Sequence, residues 1–211
     1  MPVFIDRTAK DGTRMVLWRI TESSEFFKEQ LHINHEEKEF LKTLIPKRQK
    51  EWMSSRYLIQ DVLGINMKAK LKKDVYGKPF LEQEQVHISI SHSHDIAALI
   101  YSDKIVGIDV QLELNRITGI AKKFVNADEE KFIQEYDKVP YYHIIWGAKE
   151  SMYKAYGRKN VDFKQEMNVN AFNWNGQPIK MNGQLKKETL FSFEIHAEKI
   201  DNYYLIYAIS I

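Results

Sequence analysis

Two segments in the second half of the chain constrain its fold and chemistry more than any other feature. Residues 106–113 alternate between apolar and polar side chains, and a period of two predicts a strand with one polar and one apolar face. Residues 146–157 place Glu150 and Lys154 four positions apart and end in Gly157. This spacing predicts a helix that carries both charged side chains along one stripe and ends in a left-handed cap at the glycine. We therefore expect a strand and a helix that offer charged groups to a shared site.

The charged groups on these segments are typical of a site that binds a metal ion and a phosphate. Asp109 lies on the polar face of the predicted strand, and Glu150 lies on the helix with Lys154 one turn later. Mg²⁺ is usually held by one or two carboxylates together with substrate phosphates and waters. Taken alone, an Asp like Asp109 more often caps a turn at a strand end, and a Glu like Glu150 more often forms an exposed ion pair with Lys154.

Composition narrows the class of protein. The 211 residues are 44% hydrophobic and 28% charged, which is typical of a soluble globular chain with one domain or two small ones. With 31 basic and 29 acidic residues the net charge is +2, too balanced to indicate nucleic-acid binding. The absence of cysteine excludes disulfides and thiol nucleophiles and favours a cytoplasmic location. No apolar run approaches the ~20 residues of a membrane span, and the N-terminus has no signal-peptide pattern.

Helix and strand signals occur in two rounds along the chain. Helices are predicted at residues 21–31, 34–44, 46–63, 126–136 and 140–157. Strands are predicted at residues 14–20, 86–92, 96–102, 104–112, 191–195 and 203–211. Asn34 with Glu37, and Asn126 with Glu129, are capping boxes that mark two helix starts. Helices followed by strands, twice over, predict an α+β fold of two halves.

Four segments, in order, give the chain a resemblance to the 4'-phosphopantetheinyl transferases. The strand signature G-[IV]-D-[IV]-E is similar to Gly107–Gln111, where Gln111 replaces the glutamate of many members. The helix signature W-x-x-K-E-[SA]-x-x-K-x-x-G matches Trp146–Gly157 at every fixed position. Tyr76–Pro79 and Ser89–Ser93 fit two further motifs of the family. In length and motif placement the chain resembles the larger, Sfp-type class.

The resemblance implies both an architecture and a reaction. It implies two similar α/β subdomains, residues 1–104 and 105–211, packed about a pseudo-two-fold axis with the active site in the cleft between them, in a monomer. The reaction implied is Mg²⁺-dependent transfer of 4'-phosphopantetheine from coenzyme A to a serine of an apo acyl or peptidyl carrier protein. Adenosine 3',5'-bisphosphate is the product released.

The resemblance also implies roles for the charged residues. Asp109, Gln111 and Glu150 would be metal ligands, although the neutral amide of Gln111 is a weaker ligand than a carboxylate. Glu150 would also be the general base for the serine proton. Lys154 would contact the transferred phosphate of coenzyme A, and His92 a second phosphate, so that both take part in catalysis.

The remaining contacts to coenzyme A would come from the first half of the chain. Ser91 would lie next to His92 at the phosphates, and Lys78 would contact the nucleotide from a turn. Arg48 and Arg56, eight residues apart on one predicted helix, would lie on nearly one face and suit the 3'-phosphate. A solvated basic helix face is the alternative for these two arginines.

Several residues near the motifs allow more than one interpretation. Lys149 is expected to be either a phosphate contact or a surface residue whose stem packs on the protein. Trp146 is expected to pack the helix against the core. Glu113 has the same strand parity as Asp109 and would be a distant further ligand. His92 and His94 form an H-x-H pair that would suit a transition metal if further ligands were present.

Two alternative functions remain open. The first is a coenzyme A-binding protein of the same fold with weak or lost transferase activity, which only Gln111 favours. The second is a metal-dependent phosphohydrolase that uses the same carboxylates. For the transferase, Lys122 and Lys123 would attract an acidic carrier protein. The sequence leaves open which carrier is served.

Overall fold

The computed structural model describes residues 3–211, apart from the side chains of Val3, Ile65 and Met67. Within this range the first half of the chain contains the strands β1 (Val3–Thr8), β2 (Arg14–Arg19), β3 (Leu71–Lys73), β4 (Pro79–Leu81), β5 (His87–Ser93) and β6 (Ile96–Ser102). The second half contains β7 (Val106–Leu112), β8 (Met167–Val169), β9 (Ile179–Lys186), β10 (Leu190–Ile200) and β11 (Tyr203–Ser210). The α-helices are α1 (Ser24–Gln30), α2 (His35–Lys42), α3 (Pro46–Leu63), α4 (Ile65–Ala69), α5 (Ile117–Ile120), α6 (Ala127–Glu130) and α7 (Lys138–Tyr156). None of the helices described is both long and apolar enough to cross a membrane.

The strands form two larger sheets and one hairpin. The first sheet has the order β1-β2-β6-β5, the second β7-β11-β10-β9-β8, and β3 pairs with β4. In the first sheet, β2, the strand before α3, pairs with β6, and β6 pairs with β5. In the second sheet, β7, the strand before α7, pairs with β11, and β11 pairs with β10 in the same way. Strands β5 and β7 each form an edge of their sheet. The predicted α+β class is confirmed.

Three hydrophobic clusters hold these layers together. Helix α3 covers one face of the first sheet with Met53 and Leu58, which pack near Trp18. Helix α7 covers one face of the second sheet. The opposite faces of the two sheets meet each other, with Leu17 and Leu205 among the buried residues. The side chains of the two facing sheets exclude water from between them, and this packing holds the two halves of the chain together.

Local sequence signals explain most helix ends. Helix α3 begins at Pro46, whose missing N–H is among those that a first turn leaves unpaired. It ends before Gly64, which adopts a φ of 92°. The Asn34–Glu37 capping box forms at the start of α2 as predicted. Helix α7 ends at Gly157 in the left-handed conformation, with a φ of 72°. An L-residue with a side chain would be strained there.

Three predicted helix boundaries are wrong. Helix α1 starts at Ser24 rather than Thr21, because the Ser23 hydroxyl accepts the N–H of Phe26 and caps the helix there. Helix α7 starts two residues before Pro140, so the proline still falls within the first turn, where no N–H is needed. The helix predicted from Asn126 to residue 136 ends at residue 130, although its capping box forms.

Candidate active site

Two glycines let helix α7 lie directly against the strands of the second sheet. A Cβ atom at Gly107 would stand 1.9 Å from the backbone oxygen of Ser151. A Cβ atom at Gly147 would stand 2.5 Å from Ile206 Cδ1 and 2.7 Å from Gln111 Nε2. Since real Cβ atoms do not approach backbone atoms so closely, the short separation of helix and strand depends on Gly107, whereas a side chain at Gly147 would displace the side chains of Ile206 and Gln111. This separation brings the charged residues of α7 onto the polar face of β7.

Asp109 and Lys154 form the centre of the candidate site. The Lys154 ammonium donates to Asp109 Oδ1 at 2.8 Å, to the carbonyl of Ile108 at 2.9 Å and to Ser91 Oγ at 3.0 Å. Ser91 in turn donates to Asp109 Oδ1 at 3.2 Å. The side chain of Asp109 is 10% exposed and that of Lys154 26%. Three of the four predicted motifs therefore contribute a side chain or a backbone atom to one partly buried cluster.

Glu150 lies one helical turn before Lys154 and adds a second carboxyl group. Burial, with the nearby charge of Asp109, raises the pKa of Glu150 to about 7, although Lys154 acts in the opposite direction. Within the part of the chain that the structure describes, this carboxyl group makes no hydrogen bond to protein. Two carboxyl groups thus lie near one ammonium, which pairs with Asp109, and this imbalance favours a further cation or a proton at the site.

Gln111 directs its amide oxygen to His143 and not to the proposed metal ligands. Its Nε2 donates to the His143 carbonyl at 2.9 Å, and its Oε1 lies 2.8 Å from His143 Nδ1. His143 Nε2 lies 3.0 Å from the N–H of Leu114 and 3.2 Å from its carbonyl. The shorter contact, together with Gln111 Oε1 at Nδ1, favours the imidazole proton on Nδ1. Turning the amide over would place two oxygens together. The expectation that the amide oxygen of Gln111 binds the metal therefore lacks support, and only its NH₂ group faces Asp109, at 3.4 Å from Oδ2.

The donor set that remains fits a magnesium ion bound with a phosphate. Asp109 and Glu150 provide two carboxylates, and substrate oxygens and waters usually complete the six ligands of Mg²⁺. Among the described residues, no three His, Cys, Asp or Glu side chains are grouped for metal binding. The pair of His92 and His94 therefore lacks a third ligand of this kind, and a transition-metal site there is not supported.

The first half of the chain contributes His92 from the edge of its sheet. His92 Nδ1 lies 3.8 Å from Glu51 Oε2, and Arg48 donates to the same oxygen at 2.7 Å. Burial lowers the pKa of His92, with Lys154 and Arg48 acting in the same direction and Glu51 against them. The imidazole is therefore neutral at neutral pH and faces the charges of α7. Glu51 was not predicted as a site residue, although its position three residues after Arg48 indicates an ion pair.

Lys78 lies against the end of helix α7. Its ammonium donates to the carbonyl of Ala155, and burial lowers its pKa. The lysine stem occupies the space beside Gly157, where a Cβ atom would stand 2.3 Å from Lys78 Cδ. A cavity of about 150 Å³ lies here, and its lining includes Lys78, Lys154 and two residues that the motifs did not predict, Tyr153 and Arg158. The structure thus brings the turn at Tyr76–Pro79 to the helix that carries Lys154.

Arg48 and Arg56 point to different surroundings, so the prediction of a common face is wrong. Eight residues rotate an α-helix by about 800°, which leaves the two side chains about 80° apart. Arg48 pairs with Glu51, whereas the Arg56 guanidinium stacks 4.4 Å from the Trp52 ring centroid. Arg56 lines a cavity of about 430 Å³ together with Lys73. Burial lowers the pKa of Arg56 to about 10, and its Nε has no partner among the described residues.

Two charged residues considered in the sequence are engaged elsewhere. Lys149 is fully buried and donates to Glu129 at 2.7 Å and to two backbone carbonyls at 2.6 and 2.8 Å. It is therefore neither a phosphate contact nor a surface residue, and both expectations are wrong. Glu113 accepts from Lys199 at 2.6 Å, away from the carboxyl pair. Trp146 packs in the aromatic core beside α7 as predicted.

Comparisons with known proteins find a match in the second half of the chain. Residues 105–208, which include Asp109, Glu150 and Lys154, match the model of the 4'-phosphopantetheinyl transferase superfamily. The chain is 34% identical over 112 residues to the 4'-phosphopantetheinyl transferase gsp of Aneurinibacillus migulanus. The aligned part covers 51% of this chain and 46% of that protein, so the chain spans about half the length of this curated relative. By these matches residues 105–208, just under half of the chain, are similar to the 4'-phosphopantetheinyl transferase superfamily.

Proposed function

We propose that this protein transfers 4'-phosphopantetheine from coenzyme A to a serine hydroxyl of an apo carrier protein and releases adenosine 3',5'-bisphosphate. The observation that carries the proposal is the buried cluster of Asp109, Glu150 and Lys154 opposite His92. The similarity of residues 105–208 to the 4'-phosphopantetheinyl transferase superfamily supports the same reaction. We further propose that residues 1–104 and 105–211 are two subdomains of an Sfp-type monomer, with this cluster in the cleft between them.

Asp109 and Glu150 are the residues that would hold Mg²⁺. The bound ion would supply positive charge that offsets the charge developing on the pyrophosphate oxygens. The proposal gives Gln111 no place among the ligands, because its oxygen faces His143. The amide instead ties the first half of α7 to β7 beside Asp109.

The proton of the carrier serine would pass to Glu150. A pKa of about 7 allows this carboxyl group to be ionised in a useful fraction at neutral pH and still to accept a proton. A carboxylate that also binds a metal is a weaker base, so a water held at Glu150 would carry the proton in that case. Lys154 would donate to an oxygen of the transferred phosphate, since its ammonium is already fixed beside Asp109.

The remaining residues would bind coenzyme A. His92 would present Nε2 to a phosphate, because Nδ1 faces Glu51. The negative charge of a bound phosphate would favour the imidazolium, which carries a proton on both nitrogens and can donate through Nε2. Ser91 would contact the same phosphate as His92. Lys78 would contact the nucleotide from the cavity at the end of α7. Arg48 and Arg56 would bind phosphate oxygens separately, because they lie about 80° apart on α3 in different surroundings. We propose that Lys122 and Lys123 attract the acidic carrier protein.

One observation favours a second candidate, a coenzyme A-binding protein with weak or lost transferase activity. Gln111 is neutral and its oxygen is directed at His143, so the site holds one carboxylate fewer than the family signature provides. Two carboxylates still suffice for a magnesium ion that also binds phosphate. The transferase therefore remains the function that the site supports best.

A transfer assay tests the proposal directly. The purified protein is mixed with Mg²⁺, coenzyme A and a panel of apo acyl and peptidyl carrier proteins, and the mass of each carrier is measured. Addition of phosphopantetheine to the carrier serine is the expected result. Tight binding of coenzyme A without any mass change would support the second candidate. Release of phosphopantetheine to water without a carrier would indicate a phosphohydrolase.

A further inference from the structure

Strands β5 and β7 belong to different sheets, yet serine side chains join them along their edges. Three N–H groups of β7 donate to β5 hydroxyls at 3.1 Å: Ile108 to Ser89, Val110 to Ser91 and Leu112 to Ser93. The two members of each pair are 19 residues apart. A constant separation means that the two strands run parallel in a single register. We call this set of three bonds the serine ladder.

The serine ladder satisfies the N–H groups of β7 that its own sheet leaves unpaired. On an edge strand, alternate N–H groups point away from the neighbouring strand. Such groups cost free energy when they are buried without a partner. The serines recur every second residue, so all three hydroxyls point to β7 from one face of β5. Ile88 and Ile90 alternate with them and belong to the cluster under α3.

The ladder also determines how the two halves of the candidate site face each other. His92 lies on β5, whereas Asp109 lies on β7, where Lys154 binds it. A slip of one residue would turn the serines away from the N–H groups. A slip of two residues would move Asp109 by about 7 Å relative to His92. The register of the ladder is therefore also the register of the site.

We infer that Ser89 and Ser93 are positioning residues, which hold the imidazole of one half and the carboxylate of the other at the distance that phosphoryl transfer needs. The role of these serines in transfer rests on the proposed function, whereas the serine ladder itself does not depend on it. Ser91 is the middle residue of the ladder and also binds Lys154 and Asp109. Ser93, at one end, has no bond to either of them among the described residues, so its replacement tests the ladder most cleanly.

Amide hydrogen exchange tests the structural part. In isotope-labelled Ser93→Ala protein, we expect the Leu112 amide to exchange at least tenfold faster than in the wild type. In the Ser89→Ala protein, the Ile108 amide should respond in the same way. Ser93→Thr keeps a hydroxyl and should restore slow exchange at Leu112. Unchanged exchange at the partner amides in both alanine variants would overturn the ladder.

Steady-state transfer to an apo carrier tests the positioning part. We expect Ser93→Ala to lower kcat about tenfold and to change the KM for coenzyme A less than about twofold, because misalignment affects the reaction more than binding. Ser93→Thr should recover most of kcat. Ser102→Ala is the matched control, since it removes a hydroxyl bonded to Thr13 at 2.8 Å in the same sheet. It should lower Tm and leave kcat unchanged at temperatures well below Tm.

The two measurements separate the possible failures. Faster amide exchange with an unchanged kcat in Ser93→Ala would show that the ladder stabilises the fold only, and would overturn the positioning role. An equal loss of kcat in Ser102→Ala would overturn it as well. Wild-type protein that transfers nothing would contradict the proposed function, and hydrogen exchange would still decide whether the ladder joins the two sheets.

Discussion

The two long helices hold their charged residues in different ways. On α7, Lys149 and Lys154 are bound to protein carboxylates and carbonyls, and both are well shielded from solvent. On α3, Arg48 is 60% exposed in its side chain, and the Nε of Arg56 is buried without a protein partner. Charges that the fold already fixes suit the reaction, since they cost no reorganisation when it occurs. Cations with few protein partners suit the binding of a separate anion.

The comparison predicts a division between the two helices. Substitutions on α7 should change stability and kcat, whereas substitutions on α3 should change the affinity for coenzyme A. Four predictions test this division.

The largest effect is expected for the buried ion pair of α7. Lys149→Met should lower the free energy of unfolding by about 3–5 kcal/mol, because it leaves Glu129 buried without its positive partner. Lys131→Met, which breaks an exposed pair with Asp128, should cost less than about 1 kcal/mol. Urea denaturation of the two variants measures the difference, and equal losses would show that Lys149 does not hold this part of the fold.

The second effect concerns the reaction itself. Asp109→Ala should lower kcat by a factor of roughly 10² or more, because it removes both a proposed metal ligand and the partner of Lys154. Glu113 lies on the polar side at the end of the same strand but pairs with Lys199. Glu113→Ala should therefore lower kcat far less. Transfer assays at saturating coenzyme A compare them. Similar kcat values for both variants would show that Asp109 is not a residue of the active site.

The third prediction is a pH dependence of stability in metal-free protein. Burial raises the pKa of Glu150 from its ordinary 4.5 to about 7, so folding favours the protonated group. The stability from this preference is fully present below pH 4.5 and is lost as the pH rises through 7. Glu150→Gln should therefore exceed the wild type in stability at pH 8, by up to about 3 kcal/mol.

Thermal or urea denaturation in EDTA between pH 4 and 8 measures this difference. The gap between Glu150→Gln and the wild type should close towards pH 4. Glu135→Gln removes a carboxyl group that is 88% exposed and should follow the wild type at every pH. A constant gap for Glu150→Gln would mean that its carboxyl group is not desolvated.

The smallest effect is expected on α3. Arg56→Ala should raise the KM for coenzyme A about tenfold and change kcat by less than about twofold, as loss of one charge-assisted contact to a phosphate would do. Arg48→Ala should have a smaller effect, because Glu51 already pairs with the more exposed Arg48. Calorimetric titration with coenzyme A provides an independent measurement. A loss of kcat without a change in affinity would contradict the division between the helices.

The sequence was sufficient where one strong local rule applied. The alternation in residues 106–113 predicted β7, and Gly157 predicted the end of α7. Asp109, Glu150 and Lys154 were expected together from their motifs, and the structure brings them together. Each of these predictions depends on side chains that are close in sequence or on a pattern that few structures share.

The sequence was not sufficient where a residue's partner lies far along the chain. Lys149 looks like an exposed helix lysine until Glu129 and two distant carbonyls are placed around it. Gln111 looks like a substituted ligand until His143 is found beside it. The strand β1 was missed because its residues show no regular alternation, and its pairing with β2 determines its conformation.

Gly157 has a consequence for attempts to exchange the two halves between related proteins. It is the cap of a helix from the second half, and it also leaves room for the stem of Lys78 from the first half. If the second half came from a protein with another residue in place of Gly157, the new side chain would disturb the helix end and displace Lys78 of the first half. Chimaeras should therefore be joined so that Lys78 and Gly157 come from one parent, even though 79 residues separate them along the chain.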